Sequence, residues 1–318
     1  MSGNNKTVGD GALDAQVDAA LDAFARGLAF SARSPLLGTP ADAGLQFDDV
    51  TFPSADGVPL EGWFIPCPGS GKLIICSHPF GFSRYGFPAH LEPWKSAWGE
   101  GLGNDFEVNF MPDYKILHDN GYNVLTYDFR NCGLSAAANG GLASNARFES
   151  RDVLGSLAYV RSRPELARMT LGLFSRCMGA HATFVAMELD PAAFADVRAL
   201  VAPLLLSPTV ILEQQLERAG LAGYAAEVDR RFRRITSALL AEGSPVKSAP
   251  AVTVPTLTYG VHDDPLVRPS DLESIFEAIG AKEKDMFWIH DTTARWDGYL
   301  WFQRRPERIL EWFENHMR

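Results

Sequence analysis

The chain is 318 residues long, 46% hydrophobic and 21% charged, a balance that supplies a sizeable buried core and excludes a largely disordered protein. Its net charge of −10 repels phosphate backbones and anionic lipid surfaces, which argues against a nucleic-acid or membrane partner. The one basic run, Arg230, Arg231, Arg233 and Arg234, falls on a predicted helix and reads as a solvated face.

The stretch from Met1 to Lys6 has no basic region leading into an apolar run, and nothing later approaches the apolar length of a membrane span. Neither export nor membrane spanning is predicted. The four cysteines, Cys67, Cys76, Cys132 and Cys177, include no C-x-x-C pair, so reduced thiols in a cytoplasmic protein are expected, with no zinc site and no cofactor indicated.

In chain order, residues 12–33 repeat apolar side chains at helical spacing and predict an amphipathic leading helix that ends before Pro35. Residues 46–52 and 59–66 read as a hairpin turning at Asp56-Gly57, and 72–77 as an apolar strand buried on both faces. Further strands are predicted at 122–127, 170–174, 198–204, 255–260 and 285–290. Helical patterns separate them at 111–119, 146–162, 178–189, 269–280 and 305–317. This alternation predicts a mostly parallel sheet covered on both faces, with the hairpin as an antiparallel edge. Residues 79–110 and 208–246 are too long for plain connections, and both follow predicted strand ends, so they are expected to form a lid over a pocket. The division is then 1–44, an N-terminal helix and linker, and 45–318, one α/β domain.

The sharpest local signal is Ser175-Arg176-Cys177-Met178-Gly179, where an apolar strand ends and a helix begins. Small residues two before and two after a central nucleophile are what a strained strand-to-helix elbow requires. At a helix N-terminus the thiolate of Cys177 is favoured by unpaired N–H groups and the macrodipole. The competing reading is an ordinary buried cysteine in a core helix. Asp128 and Arg130, ahead of Gly133-Leu134-Ser135, read as residues that pin their own loop. In Ser77-His78-Pro79-Phe80-Gly81 the proline has no N–H, which leaves Phe80 as the natural partner of Met178 in an oxyanion hole, and His78 as a loop-positioning or substrate-contacting residue.

These three features, in this order, resemble the α/β-hydrolase superfamily from about residue 45 to the C-terminus. The elbow cysteine is similar to that of dienelactone hydrolases. The His-Pro loop and the stretch Arg295-Trp296-Asp297-Gly298-Tyr299 resemble a group that includes fungal polyketide transferases. The resemblance implies an eight-stranded, mostly parallel sheet with a small helical lid, and acyl-enzyme chemistry on an ester, lactone or thioester. It also implies an acid after the seventh strand and a histidine after the eighth. Asp263 is the choice for the acid and Asp264 the fallback; both could instead simply open the turn at Pro265.

The histidine is out of place. Its position should fall near 293–295, where the chain reads Thr293-Ala294-Arg295, so His290, slightly early at the strand end, is the candidate base and His262 a weaker one. His181 is expected to pack inside, and His90, His118 and His316 are peripheral. A thiolate can attack without a base, whereas water attack on the acyl-enzyme needs one. The expected activity is therefore acyl-enzyme hydrolysis, with transfer of a polyketide-like acyl chain to an alcohol or amine as the alternative, and loss of catalysis in favour of ligand binding as a third reading. The expected partner is a small-molecule acyl substrate, free or carrier-bound. Aromatic residues crowd the first insertion (Phe80, Phe82, Tyr85, Phe87, Trp94, Trp98), and these, with His78 and Arg295, either line an apolar substrate pocket or pack the lid onto the body.

Overall fold

The computed structural model describes residues 14–30, 32–99 and 102–318. Eight strands form one sheet: β1 (Asp48–Pro53), β2 (Pro59–Ile65), β3 (Lys72–Ser77), β4 (Asn123–Tyr127), β5 (Thr170–Ser175), β6 (Val197–Val201), β7 (Thr256–Val261) and β8 (Lys284–Ile289). Their spatial order is β1-β2-β4-β3-β5-β6-β7-β8. The first hairpin is antiparallel, β2 also runs antiparallel to β4, and every later pairing is parallel. Each strand lies within three residues of its predicted span. The largest departure is at β6, predicted to reach 204, because Pro203 has no N–H for a ladder and Leu204 takes a positive φ of 59°.

The central strands are buried on both faces, which is why they read as unbroken apolar runs. Leu73 and Ile75 point into one core, Ile74 and Cys76 into the other. Nine helices frame the account: α1 (Ala15–Ala29), α2 (Met111–Asp119), α3 (Glu149–Ser162), α4 (Met178–Leu189), α5 (Pro208–Arg218), α6 (Ala225–Thr236), α7 (Pro269–Ala278), α8 (Arg295–Tyr299) and α9 (Glu307–His316). Side chains of α3, α4 and α7 fill the first core and those of α2 and α9 the second. Among the described residues no helix is long and apolar enough to cross a membrane.

A third, smaller core joins the leading helix to residues 208–246. Leu21, Ala25 and Ala29 of α1 pack against Leu212 and Leu216 of α5 and Val228 and Phe232 of α6. The leading helix, grouped in the sequence with a linker, is thus packed into the same layer as residues 208–246. Asp14 caps it by accepting the Gln16 N–H at 2.8 Å; residues 12, 13 and 31 of the predicted span lie outside the described residues. Its acidic face explains the basic run: Arg231 pairs with Asp18 and Asp22 at 2.6 Å and with Glu227 at 2.7 Å. Only Arg230, Arg233 and Arg234 of that run are exposed as expected.

Candidate active site

Cys177 stands between β5 and α4 with φ 50° and ψ −113°, a conformation that side-chain-bearing residues avoid. The turn is held from several sides. The Cys177 N–H donates to the Pro203 carbonyl at 2.9 Å. Gly179 lies against the end of β3, where a Cβ would stand 2.6 Å from Ser77 Oγ and 2.9 Å from the His78 carbonyl. Beneath the turn, Arg176 pairs with Asp113 at 2.5 Å and lies over the rings of Phe110 and Phe174, so the residue before Cys177 is locked in the core.

The neighbouring loops are fixed by buried polar residues. His78, 2% exposed, donates from Nδ1 to the Pro79 carbonyl at 2.8 Å and accepts the Phe129 N–H on Nε2 at 3.0 Å. Burial lowers its pKa, which agrees with this neutral tautomer. The expectation that His78 touches substrate is corrected: both ring nitrogens are spent on backbone. Asp128 accepts the Arg84 and Leu134 N–H groups and pairs with the Arg84 guanidinium, while Arg130 joins Asp152 and Asp56. Each pins its loop, though through other residues rather than each other. Gly133 is required there, because with φ 44° a Cβ would fall 2.0 Å from the Asp128 carboxylate.

Above the elbow lies a cleft with about 880 Å³ of empty space, open to solvent. Cys177 and Met178 form its floor, Phe80, Phe82 and Phe87 one wall, and Leu28, Pro208 and Ile211 of the lid layer another. Trp296 and Tyr299 of α8 close it, with Phe82 stacked on Phe87 at 4.5 Å and edge-on to both. Phe82 therefore both lines the cleft and packs the insertion onto the body. Tyr85 and Trp94 do not share this role: Tyr85 is buried below with its hydroxyl donating to Glu107 at 2.7 Å, and Trp94 packs on the second core. The Trp98 side chain lies outside the described residues.

Against the Cys177 sulfur stands an arginine. Arg295 Nη2 donates to Sγ at 3.6 Å and to the Leu204 carbonyl, and Nη1 pairs with Asp264 Oδ2 at 2.6 Å. The Tyr299 hydroxyl, one helical turn on, completes the group; it accepts from Arg295 Nε at 3.3 Å. Arg295 is 2% exposed and Asp264 4%. Burial opposes the arginine's charge, yet the ion pair with Asp264 helps hold its pKa well above the ordinary value. Burial pushes the Tyr299 hydroxyl well above the usual tyrosine range, so it is a neutral donor.

The sequence matches no known family model and no curated protein. Solved structures do match it. An esterase from Pyrococcus furiosus, Pf2001, superposes with a TM-score of 0.68 at 18% identity, over 92% of this chain and 99% of that one. The α/β hydrolase GrgF from a Penicillium species gives 0.58 at 19% identity, and a dienelactone hydrolase from Anabaena variabilis 0.56 at 17%, each over 86% of this chain and 99% of theirs.

The chain has the α/β-hydrolase fold. In that fold's terms the position after the eighth strand, where the resemblance implied a histidine, carries Arg295, and the acid behind it is Asp264. The two first choices lie elsewhere. Asp263 is exposed and accepts from, or pairs with, His262 at 2.7 Å, and His290, also exposed, packs on His262 with ring centroids 4.9 Å apart. Consecutive residues at a loop end face opposite ways, so Asp264 turns inward while Asp263 turns to solvent; the Leu266 N–H on Asp264 Oδ1, at 2.9 Å, fixes that turn. His290 faces out because β8 is the sheet's edge and ends there. Arg295, expected to meet substrate, lines the cleft and also donates to the sulfur. Tyr299 was not predicted at all, although its spacing of four from Arg295 on a short helix puts both on one face. His181, packed inside as expected, forms part of the cleft wall, and burial pushes its pKa down to about 3.

Proposed function

We propose that this chain is a covalent acyl-transfer catalyst in which Cys177 attacks the carbonyl of an ester, lactone or thioester and carries the acyl group. The observation that carries this reading is a sulfur on the floor of an apolar cleft, at a strained elbow, held by the buried Arg295–Asp264 pair. An arginine cannot accept a proton at working pH, so it is no general base. It acts as a fixed cation and donor at 3.6 Å that orients the sulfur toward the cleft. The Tyr299 hydroxyl, which accepts from Arg295 Nε, helps hold that guanidinium in place.

Met178 is the first residue of α4, where an N–H has no acceptor within the helix, and with Phe80 it borders the cleft beside Cys177. Their N–H groups are assigned to the oxyanion of the tetrahedral intermediate. The acyl chain would lie along Phe82, Phe87, Ile211 and Trp296, an apolar surface that favours a hydrophobic acyl group.

The test is intact-mass spectrometry with peptide mapping after exposure to a reactive acyl thioester. One acyl group on Cys177 is expected, and none in Cys177→Ala. The other three thiols are poor competitors, since burial pushes up Cys67, Cys76 (to about 12) and Cys132. No adduct, or equal labelling of all four cysteines, would count against the proposal.

A further inference from the structure

We infer that the acyl acceptor at this site is a thiol and the donor a thioester, so that the chain exchanges an acyl group between sulfur atoms; this rests on the cysteine reading above. Water or an alcohol must lose a proton as it attacks an acyl carbonyl, a step that a positioned base accelerates about 10²–10⁴-fold. Among the described residues, the groups around Cys177 offer no such base. Arg295, which donates to the sulfur, and Tyr299 beside it are both donors. The Glu149 carboxylate on the cleft wall is engaged by the N–H and hydroxyl of Ser144. His181 is on that wall too, but burial leaves its imidazole a weak proton acceptor.

A thiol arrives partly ionised near neutral pH and needs no base, and a thiolate leaves without a general acid. In the first step the Cys177 thiolate adds to the thioester carbonyl and forms a new S–C bond. The bond to the leaving sulfur then breaks, and that sulfur departs with the electron pair as a thiolate. In the second step the acceptor thiolate adds to the acyl carbon of acyl-Cys177, the Cys177 S–C bond breaks, and the Cys177 thiolate is restored beside Arg295. No net proton is consumed and nothing is oxidised or reduced.

A second space, also open to solvent, abuts the cleft along Ala143, Asn145 and His181 and is edged by Arg147, Glu188 and Thr236. An acyl chain suits the apolar cleft, and the polar arm of a thiol suits the space beside it.

The experiment loads the full chain from the octanoyl thioester of N-acetylcysteamine and removes the excess donor. The acyl-protein is then challenged with buffer alone, ethanol or 2-mercaptoethanol, and loss of the adduct is followed by mass. S-octanoyl-N-acetylcysteine under the same conditions supplies the uncatalysed rates. Discharge to 2-mercaptoethanol is expected to exceed its uncatalysed rate by at least about tenfold, while discharge to buffer or ethanol matches theirs. Arg295→His, which places an imidazole in front of Asp264, is expected to raise discharge to water by about 10²-fold. Failure to form the adduct overturns both the cysteine reading and this one. An adduct that passes to water or ethanol above the uncatalysed rate, or to the thiol no faster than it, overturns the thiol acceptor alone. So does a folded Arg295→His protein whose discharge to water is unchanged.

Discussion

The two halves of the site are built by different means. On the side of β5 and α4, position is dictated by backbone: Cys177 is tied to Pro203, Gly179 is pressed against the end of β3, and Arg176 is locked between Asp113 and two aromatic rings. On the side of β7 and α8, position is dictated by charge: Asp264, in the loop after β7, and Arg295, the first residue of α8 and 31 residues on, hold each other in a desolvated cleft wall. A tight turn restricts the residues around its centre while leaving the central side chain open to several nucleophiles. A buried ion pair restricts the partners themselves, because either one alone is a buried, uncompensated charge. Shape is therefore set in the first half and protonation chemistry in the second.

The largest expected effect falls on the charge-built half. Asp264→Ala leaves the Arg295 guanidinium buried without its carboxylate, and a loss of about 3–5 kcal/mol is expected in denaturant unfolding, together with loss of Cys177 acylation. Replacing both partners by apolar residues should restore most of the stability and none of the acylation. If Asp264→Ala costs no more than a surface substitution, the pair is not what holds this wall.

On the backbone-built half, Gly179→Ala puts a Cβ 2.9 Å from the His78 carbonyl, and backbone cannot swing away as a side chain end can. The expected cost is about 1–3 kcal/mol, accompanied by slower acylation because the displaced strand end carries the Phe80 loop. Stability and acylation falling together here would show that elbow and oxyanion loop move as a unit.

A smaller, pH-dependent effect is expected from His181. Its pKa is about 3 in the folded chain against 6.5 unperturbed, so between those values the unfolded state binds the extra proton and stability falls as pH is lowered. From pH 6.5 to pH 5 this one group contributes about 1.6 kcal/mol of loss. His181→Leu should remove that part of the slope in thermal or denaturant unfolding at the two pH values. The remaining slope belongs to other groups such as His78, whose pKa burial also lowers.

The same division explains what the sequence revealed. Strand positions followed from apolar runs and their spacing, and the elbow from Ser175 and Gly179, because period and sterics are local properties. The loop role of Asp128 and Arg130 was legible for the same reason, although not their partners Arg84, Asp152 and Asp56, which are brought in from far along the chain. Which of Asp263 and Asp264 turns inward depends on one backbone hydrogen bond to Leu266, and no periodicity encodes that. Arg295 was visible as a departure at the histidine's position, but only the folded geometry puts its guanidinium on the sulfur. The leading helix reads as amphipathic, yet its partner surface, the lid, is some two hundred residues away.

The smallest effect is expected where the residues looked most like an acid and base. His262, Asp263 and His290 form a surface cluster in which Asp263 and His262 spend their polar atoms on each other. Exposed pairs of this kind contribute little, so Asp263→Ala and His290→Ala should each change stability by less than about 0.5 kcal/mol and leave the acylation rate of Cys177 within about twofold. The comparison of most value is Asp263→Ala beside Asp264→Ala, adjacent residues with the same side chain and opposite burial. If His290→Ala slows acylation or discharge tenfold in a stably folded protein, an imidazole does reach the sulfur during turnover, and Arg295 must then leave the position it holds. In that event the hydrolytic reading regains its base, and the distinction between the two halves would describe only the resting site.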